Sequence, residues 1–368
     1  MKAVKDRLKD DLAGLVGGIT VSGAEQEAIR YLLPRLEKSC DTVEVTPTGC
    51  VIATKAGRAP GPKALITAHM DEIGFGVKAI TAEGFLKFEK IGDFSDKVIP
   101  GRRVWVQTRE GRIPGVIGMK AGHLTSAEDN KRPQSAPESY IDIGAASREA
   151  AEVLGVYIGA KIVIQGELME FANPDIVTGK GIDDKIGCAL ILSLMENLAK
   201  DDFCGEIVAA FNTLEEVTIA GAFPIYERVR PDYAIVIDTV PCGDVPDLDT
   251  ENELPVYMGR GPVMIITQGD PTVVRFNTIH PALRRLIESV SSEAGIPLQK
   301  VALSERAYIT EESLSFMAGG GIPATTLAVP RRYSHTPVET LNINDAAAAY
   351  ELLRAALKKN GAWNISFV

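Results

Sequence analysis

The chain has 368 residues, of which 24% are charged and 45% hydrophobic, with a formal net charge of −10 and a pI near 5.1. That length accommodates two domains, or one large domain carrying an insertion, around a full core. The acidic balance argues against nucleic acid as the main partner, and no apolar run reaches the roughly 20 residues of a membrane span.

Residues 1–17 place Val4, Leu8, Leu12 and Leu15 at helical spacing. Ser22-Gly23-Ala24-Glu25 has the pattern of a capping box and predicts a second helix over residues 23–38, kinked at Pro34. Strands are predicted at 42–46, 50–55 and 64–68, the last running straight into His69-Met70-Asp71-Glu72. Short alternating segments at 85–89, 103–108, 112–117 and 161–164 then predict a small all-β, barrel-like insert over residues 73–166, with one helix near 147–154 and an exposed loop at 122–138. After residue 166 the α/β rhythm returns. Helices are predicted at 185–200, 219–228, 281–294, 311–318 and 344–359, and strands at 207–214, 233–238, 262–267, 298–303 and 325–329. Residues 1–72 and 167–368 therefore read as one α/β domain, a mostly parallel sheet with helices on both faces, interrupted by the β insert.

Five groups of chemically capable residues fall at the ends of apolar segments. His69 and Asp71 end the 64–68 strand, Glu215 and Glu216 end 207–214, and Asp238 ends 233–238. His335 follows the 325–329 strand across residues 330–334, and Asp183-Asp184 precedes the 185–200 helix. In an open parallel sheet the carboxyl ends of the strands line the ligand crevice, so topology carries these residues to one edge. Burying two adjacent carboxylates without a partner is costly, which calls for positive charge beside Glu215 and Glu216. Imidazole and carboxylate without thiolate suit zinc, cobalt or manganese. A pair of such ions needs a bridging carboxylate and a bridging water, and a free carboxylate nearby can take the proton of that water. Asp71, two residues beyond His69 on the same side of the strand, can orient the imidazole. Singly, each group has a plainer explanation: a polar strand corner, a solvated helix start or an N-cap. Five together at one sheet edge point to a metal site.

Other features carry less. The five cysteines, Cys40, Cys50, Cys188, Cys204 and Cys242, are scattered and form no Cys-x-x-Cys pair, which fits reduced thiols in the cytoplasm. The first eleven residues are charged throughout, unlike a signal peptide. His123 and His280 read as surface polar residues, Cys188 as core, and there is no Gly-x-Ser-x-Gly elbow.

The chain resembles the glutamyl-aminopeptidase and tetrahedral (TET) aminopeptidase family of dinuclear metallopeptidases. The stretches that carry the resemblance are Ala68-His69-Met70-Asp71-Glu72-Ile73-Gly74, Gly181-Ile182-Asp183-Asp184-Lys185-Ile186-Gly187, Glu215-Glu216-Val217, Ile235-Val236-Ile237-Asp238 and residues 330–339 around His335. They span nearly the whole chain in the family's order. The resemblance implies that His69 and Asp238 hold one metal, Glu216 and His335 the other, and that Asp183 bridges them. It implies Glu215 as general base and then acid, Asp71 as the residue that orients His69, and removal of N-terminal residues from short peptides as the reaction. It implies two divalent ions per subunit, zinc or cobalt with manganese as a further candidate. It also implies self-association into dimers through the insert, and into dodecamers, with neither nucleic acid nor membrane as partner. Thr218-Ile219-Ala220 and Thr310-Glu311-Glu312 depart from the family's usual Gly-x-Arg and Thr-Asp. A related dinuclear deacylase, or a silent metal-binding scaffold, would use the same ligands.

Overall fold

A computed structural model describes residues 2–126, 131–270, 276–304 and 308–367. Part of the predicted 122–138 loop, residues 127–130, lies outside the described residues. The centre of a 12-stranded sheet is four parallel strands in the order Glu206–Asn212, Lys63–His69, Tyr233–Pro241 and Ala324–Arg332. Antiparallel strands flank them. Val51–Ala56 and Thr42–Val45 extend one side, and Glu339–Asn342, Ile176–Gly179 and Met169–Glu170 the other. A branch of Val263–Gln268, Asn277–Thr278 and Gln299–Ala302 pairs onto Ala324–Arg332.

The central strands are apolar on both faces because both faces are covered. Ala64, Ile66 and Ala68, with Ile207, Ala209, Phe211, Ile235 and Ile237, pack under helices Lys2–Val16, Gln26–Ser39, Ile182–Asn197 and Ile343–Lys358. Leu8, Leu12 and Leu15 are buried there as their spacing predicts, each contributing roughly 1.5–3 kcal/mol. The alternate residues Leu65, Val208, Ala210 and Ala234 meet the helix Phe223–Val229 and the 3-10 segment Glu311–Met317. With a side-chain period of two, His69, Asn212 and Asp238 emerge on this second face at the strand ends.

Between the two parts of this layer, a six-stranded closed barrel runs Gly74–Ile80, Leu86–Ile91, Ile141–Asp142, Arg112–Ile117, Arg103–Gln107 and Lys161–Ile164 in spatial order. It has its own core of Phe75, Phe88, Val104, Val106, Ile117, Ile141 and Ile162, and its strands pair in a closed ring. The Gly74–Ile80 strand escaped the sequence reading because glycines interrupt its alternation. Gly74 is required there: a Cβ would stand 2.5 Å from Val21 Cγ2 and 2.7 Å from the Ile162 carbonyl.

Other differences have local causes. No capping box forms at Ser22 and Glu25; the helix starts at Gln26, because the Ser22 hydroxyl is engaged by Asp71 and Glu25 accepts from the amide of Gly23. The predicted 219–228 helix begins only at Phe223, because Ile219 is left-handed and Gly221 lies against the Thr213 carbonyl, where a Cβ would be 1.7 Å away. The predicted 311–318 helix is 3-10. The strand predicted to stop at 329 runs on to Arg332, since Arg331 and Arg332 pair with Leu341 and Thr340 of an antiparallel neighbour. His280 is buried against Phe367, 5.5 Å between rings, rather than on the surface.

Candidate active site

Parallel pairing sets Asn212 beside His69, so the strands that carry His69 and the Glu215-Glu216 pair end level with one another. Leu214 takes a left-handed conformation, and a four-residue helix, Glu215–Thr218, follows it. Its amides point back at Asp71: the carboxylate accepts from the amides of Glu215 at 3.1 Å and Glu216 at 3.2 Å and from the Ser22 hydroxyl at 2.6 Å. A carboxylate at a helix N-terminus satisfies its free donors and opposes its dipole. These bonds and His69 hold the Asp71 carboxyl below its ordinary value although burial opposes it.

His69 Nδ1 lies 3.1 Å from the Asp71 carbonyl oxygen and 3.6 Å from its carboxylate. A carbonyl only accepts, so Nδ1 bears the proton and Nε2 faces the cleft. There Nε2 stands 3.5 Å from Asp183 and 3.8 Å from Glu215. His335 is arranged alike. Its Nδ1 lies 2.7 Å from the Asp93 carbonyl, and its Nε2 is 3.4 Å from Asp183 and 3.3 Å from Glu216. Asp183, joined to Asp184 by a cis peptide, thus stands between both imidazoles. Its other partners are the Thr239 hydroxyl, at 2.8 Å, and the Arg331 guanidinium. Ligand atoms of His69, Asp183 and Asp238 lie within 4.8 Å of one another, and so do those of Asp183, Glu216 and His335. All seven residues singled out in the sequence therefore meet here. All of them except the fully buried Asp71 border a cleft of about 590 Å³ whose apolar wall includes Val217, Ile219, Leu248, Leu254, Leu303 and Ile309.

The electrostatics are strongly one-sided. Burial, with the nearby carboxylates of Asp238, Glu216 and Asp71, holds Glu215 well above the carboxylate range despite His69. Burial and Asp183 raise Asp238 in the same way, and burial lifts Glu216 to about 7. Burial opposes charge on His335, but Glu216 and Asp183 outweigh it and push the imidazole up to about 9. Arg331, buried between Asp183 and Glu339 (2.6 Å), is a permanent cation against the five carboxylates Asp71, Asp183, Asp238, Glu215 and Glu216. Such a crowd of buried carboxyl groups, whose charging is opposed by burial and by one another, is what two divalent ions would relieve. The spacing fits as well: two ligands each bonded at about 2.1 Å to one tetrahedral zinc ion stand about 3.4 Å apart, and three of the separations above are 3.3–3.5 Å.

Sequence reasoning missed Ser22, Asp93, Thr239, Arg331 and Glu339. Arg331 left one signal, a charged residue continuing an apolar strand. Beneath the strand ends, Glu311 accepts from Thr67 at 2.8 Å and Asn212 at 2.7 Å, so the departure at 310–312 supplies a buried carboxyl tying together the strands of His69 and Glu215. The acidic 241–254 loop turns Leu248 and Leu254 to the cleft, while its Asp244 pairs with Arg332 at 2.6 Å.

The sequence pattern of M42 glutamyl aminopeptidases matches residues 49–352. The chain belongs to the M42 aminopeptidase family. Among M42-type relatives, the FrvX protein of Escherichia coli (strain K12) is 33% identical over 341 residues, 92% of this chain and 91% of that one. Aminopeptidase APDkam598 from the archaeon Desulfurococcus kamchatkensis superposes with a TM-score of 0.91 at 27% identity, covering 98% of this chain and 97% of that one. The TET1 peptidase of Pyrococcus horikoshii, which can assemble into a tetrahedron or a large octahedral shell, gives a TM-score of 0.81 at 28% identity, over 95% and 99% of the two chains. The M42 assignment makes this protein an aminopeptidase with the mixed α/β and barrel fold of the TET peptidases. No helix among the described residues is long and apolar enough to cross a membrane.

Proposed function

We propose that this M42 protein is a dinuclear metallo-aminopeptidase that removes N-terminal residues from short peptides. The observation that carries the reading is the pair of ligand groups sharing Asp183, with Glu215 beside them and outside both. His69 and Asp238 would hold one ion, Glu216 and His335 the other, and Asp183 would bridge. Bound there, two zinc or cobalt ions, or manganese, supply Lewis acidity toward water and the scissile carbonyl. Glu215 takes the proton of the attacking water and returns it to the departing amine. Asp71 fixes the backbone of both glutamates, so base and ligand keep their relative placement. The His69 and His335 imidazoles are each locked by a backbone carbonyl with Nε2 toward the ligand cluster. The cleft wall offers apolar surface to the side chain of the residue removed.

Residues 1–72 and 167–368 would form the catalytic unit, and residues 73–166 the unit through which subunits associate, in dimers and in larger shells such as those of the Pyrococcus horikoshii peptidase. The five cysteines, all free, support a reducing compartment, the cytoplasm. The test is turnover of matched peptides with free and acetylated N-termini, with zinc, cobalt or manganese added in turn. Release of single residues from free N-termini alone is expected. Cleavage of the acetylated peptides would instead identify a deacylase, and no turnover with any metal would leave a scaffold.

A further inference from the structure

The two imidazoles at the site are held by different parts of the chain. His69 is held by the backbone two residues away. His335 is held by Asp93, 242 positions away in the barrel insert. We infer that the barrel loop around Asp93 is part of the active site, positioning His335 through the Asp93 backbone carbonyl. This rests on the dinuclear reading above and adds a second task to the insert.

His335 needs such a hold. It has φ +54 and Tyr333 has φ +62, both left-handed without being glycine. Such a conformation is strained for a residue with a Cβ and persists only where its surroundings determine it. Two contacts do so here: the His335 amide donates to Glu339 at 2.9 Å, and its Nδ1–H donates to the Asp93 carbonyl at 2.7 Å. The second leaves Nε2 as the metal-facing nitrogen.

The loop that presents this carbonyl is itself fixed by the barrel. Gly92 has φ +85, and a Cβ there would stand 2.6 Å from Ile73 Cγ2. Phe94 is buried edge-on to Phe75 of the barrel core, 5.4 Å between centroids, and its carbonyl accepts from Lys90 at 2.6 Å. On the other side, Phe94 and Val98 share a cavity of about 30 Å³ with Thr336 and Pro337 of the His335 turn. The loop and the turn therefore meet along one seam, and a shift of either moves the imidazole.

The experiment compares Gly92→Ala and Phe94→Ala, which disturb the loop, with Val106→Ala, which loosens the barrel core elsewhere. The readouts are the imidazole N–H proton of His335 by NMR (one of four histidines, identified by its loss in His335→Asn), zinc binding by calorimetry, and kcat against KM. Expected in the wild type is a His335 Nδ1–H signal protected from exchange. Gly92→Ala or Phe94→Ala loses that protection and weakens one of two zinc ions by about 10–100-fold. In both, kcat falls more than KM rises. Val106→Ala keeps the protected proton and both zinc affinities. The inference is overturned if the loop variants retain the proton and both affinities, or if Val106→Ala loses them equally. If the wild type binds fewer than two zinc ions, the dinuclear reading fails by itself. The proton's dependence on Gly92 and Phe94 still decides the positioning.

Discussion

The two halves of the ligand cluster share Asp183 but are built differently. His69 and Asp238 stand at the ends of adjoining parallel strands, and the His69 side chain is only 3% exposed. Glu216 stands on a four-residue helix and His335 on a left-handed turn, with the His335 side chain 33% exposed. The first half is placed by the sheet, where hydrogen-bonded register leaves a ligand little freedom. The second is placed by polar contacts from elsewhere in the chain: Asp71 under Glu216, Asp93 and Glu339 around His335. Burial makes the first half rigid, whereas the second depends on contacts of which two, from the Asp71 and Glu339 carboxylates, can be removed singly by mutation.

The largest effect expected leaves both halves loaded. Glu215→Gln should lower kcat by about 10²–10⁴-fold, the usual contribution of a general base, while metal analysis still finds both ions. Retained turnover in this variant would remove Glu215 from the mechanism. Next, His69→Ala and His335→Ala should separate the halves when measured in metal-free protein. Removing His69 leaves buried carboxylates without a counter-charge and should cost roughly 3 kcal/mol. Removing the partly exposed His335 should cost about 1 kcal/mol or less. Denaturant unfolding with chelator checks this, and equal losses would break the contrast.

A pH series sharpens it further. In metal-free protein the His335 pKa, about 9, lies above the unfolded value, so its stabilisation is full below about pH 6.5 and is lost as pH rises through 9. Glu216, raised to about 7, likewise loses its contribution as pH rises from its ordinary range through 7. Metal-free Tm should therefore fall between about pH 5 and 9. Metal competes with these protons, so the Tm gain from added zinc should grow over the same interval. Calorimetry with and without chelator tests this; a constant gain would mean the ions do not displace those protons. The smallest effect on turnover is expected of Ser22→Ala, which removes one neutral donor from Asp71. It should cost about 1.5–3 kcal/mol in stability, as for a hydrogen bond to a charged group, and lower kcat several-fold, and an unchanged kcat would show that the two glutamate amides suffice to fix Asp71.

Legibility in the sequence depended on strand ends. Runs such as residues 207–211 and 233–237, apolar and followed within four residues by acids, announce strands covered on both faces with their ends at a crevice. His69, Asp238 and the glutamate pair were readable for that reason. The barrel was readable as alternation, apart from Gly74–Ile80, where glycines serve close packing rather than pattern. Ser22 suggested a helix cap because local spacing matched one, and Asp71, 49 residues away, captured its hydroxyl instead.

By itself the sequence determined the strand-and-helix order, the interrupting insert and the residues able to hold metal, because side-chain period and residue chemistry are local properties. Only the tertiary structure decided that Arg331 lies buried between Asp183 and Glu339, that Asp71 caps the helix of Glu215 and Glu216, and that a barrel carbonyl holds His335. Those are polar contacts between distant segments. Their partners are chosen by which groups burial leaves unsatisfied, and burial is settled only when the segments pack.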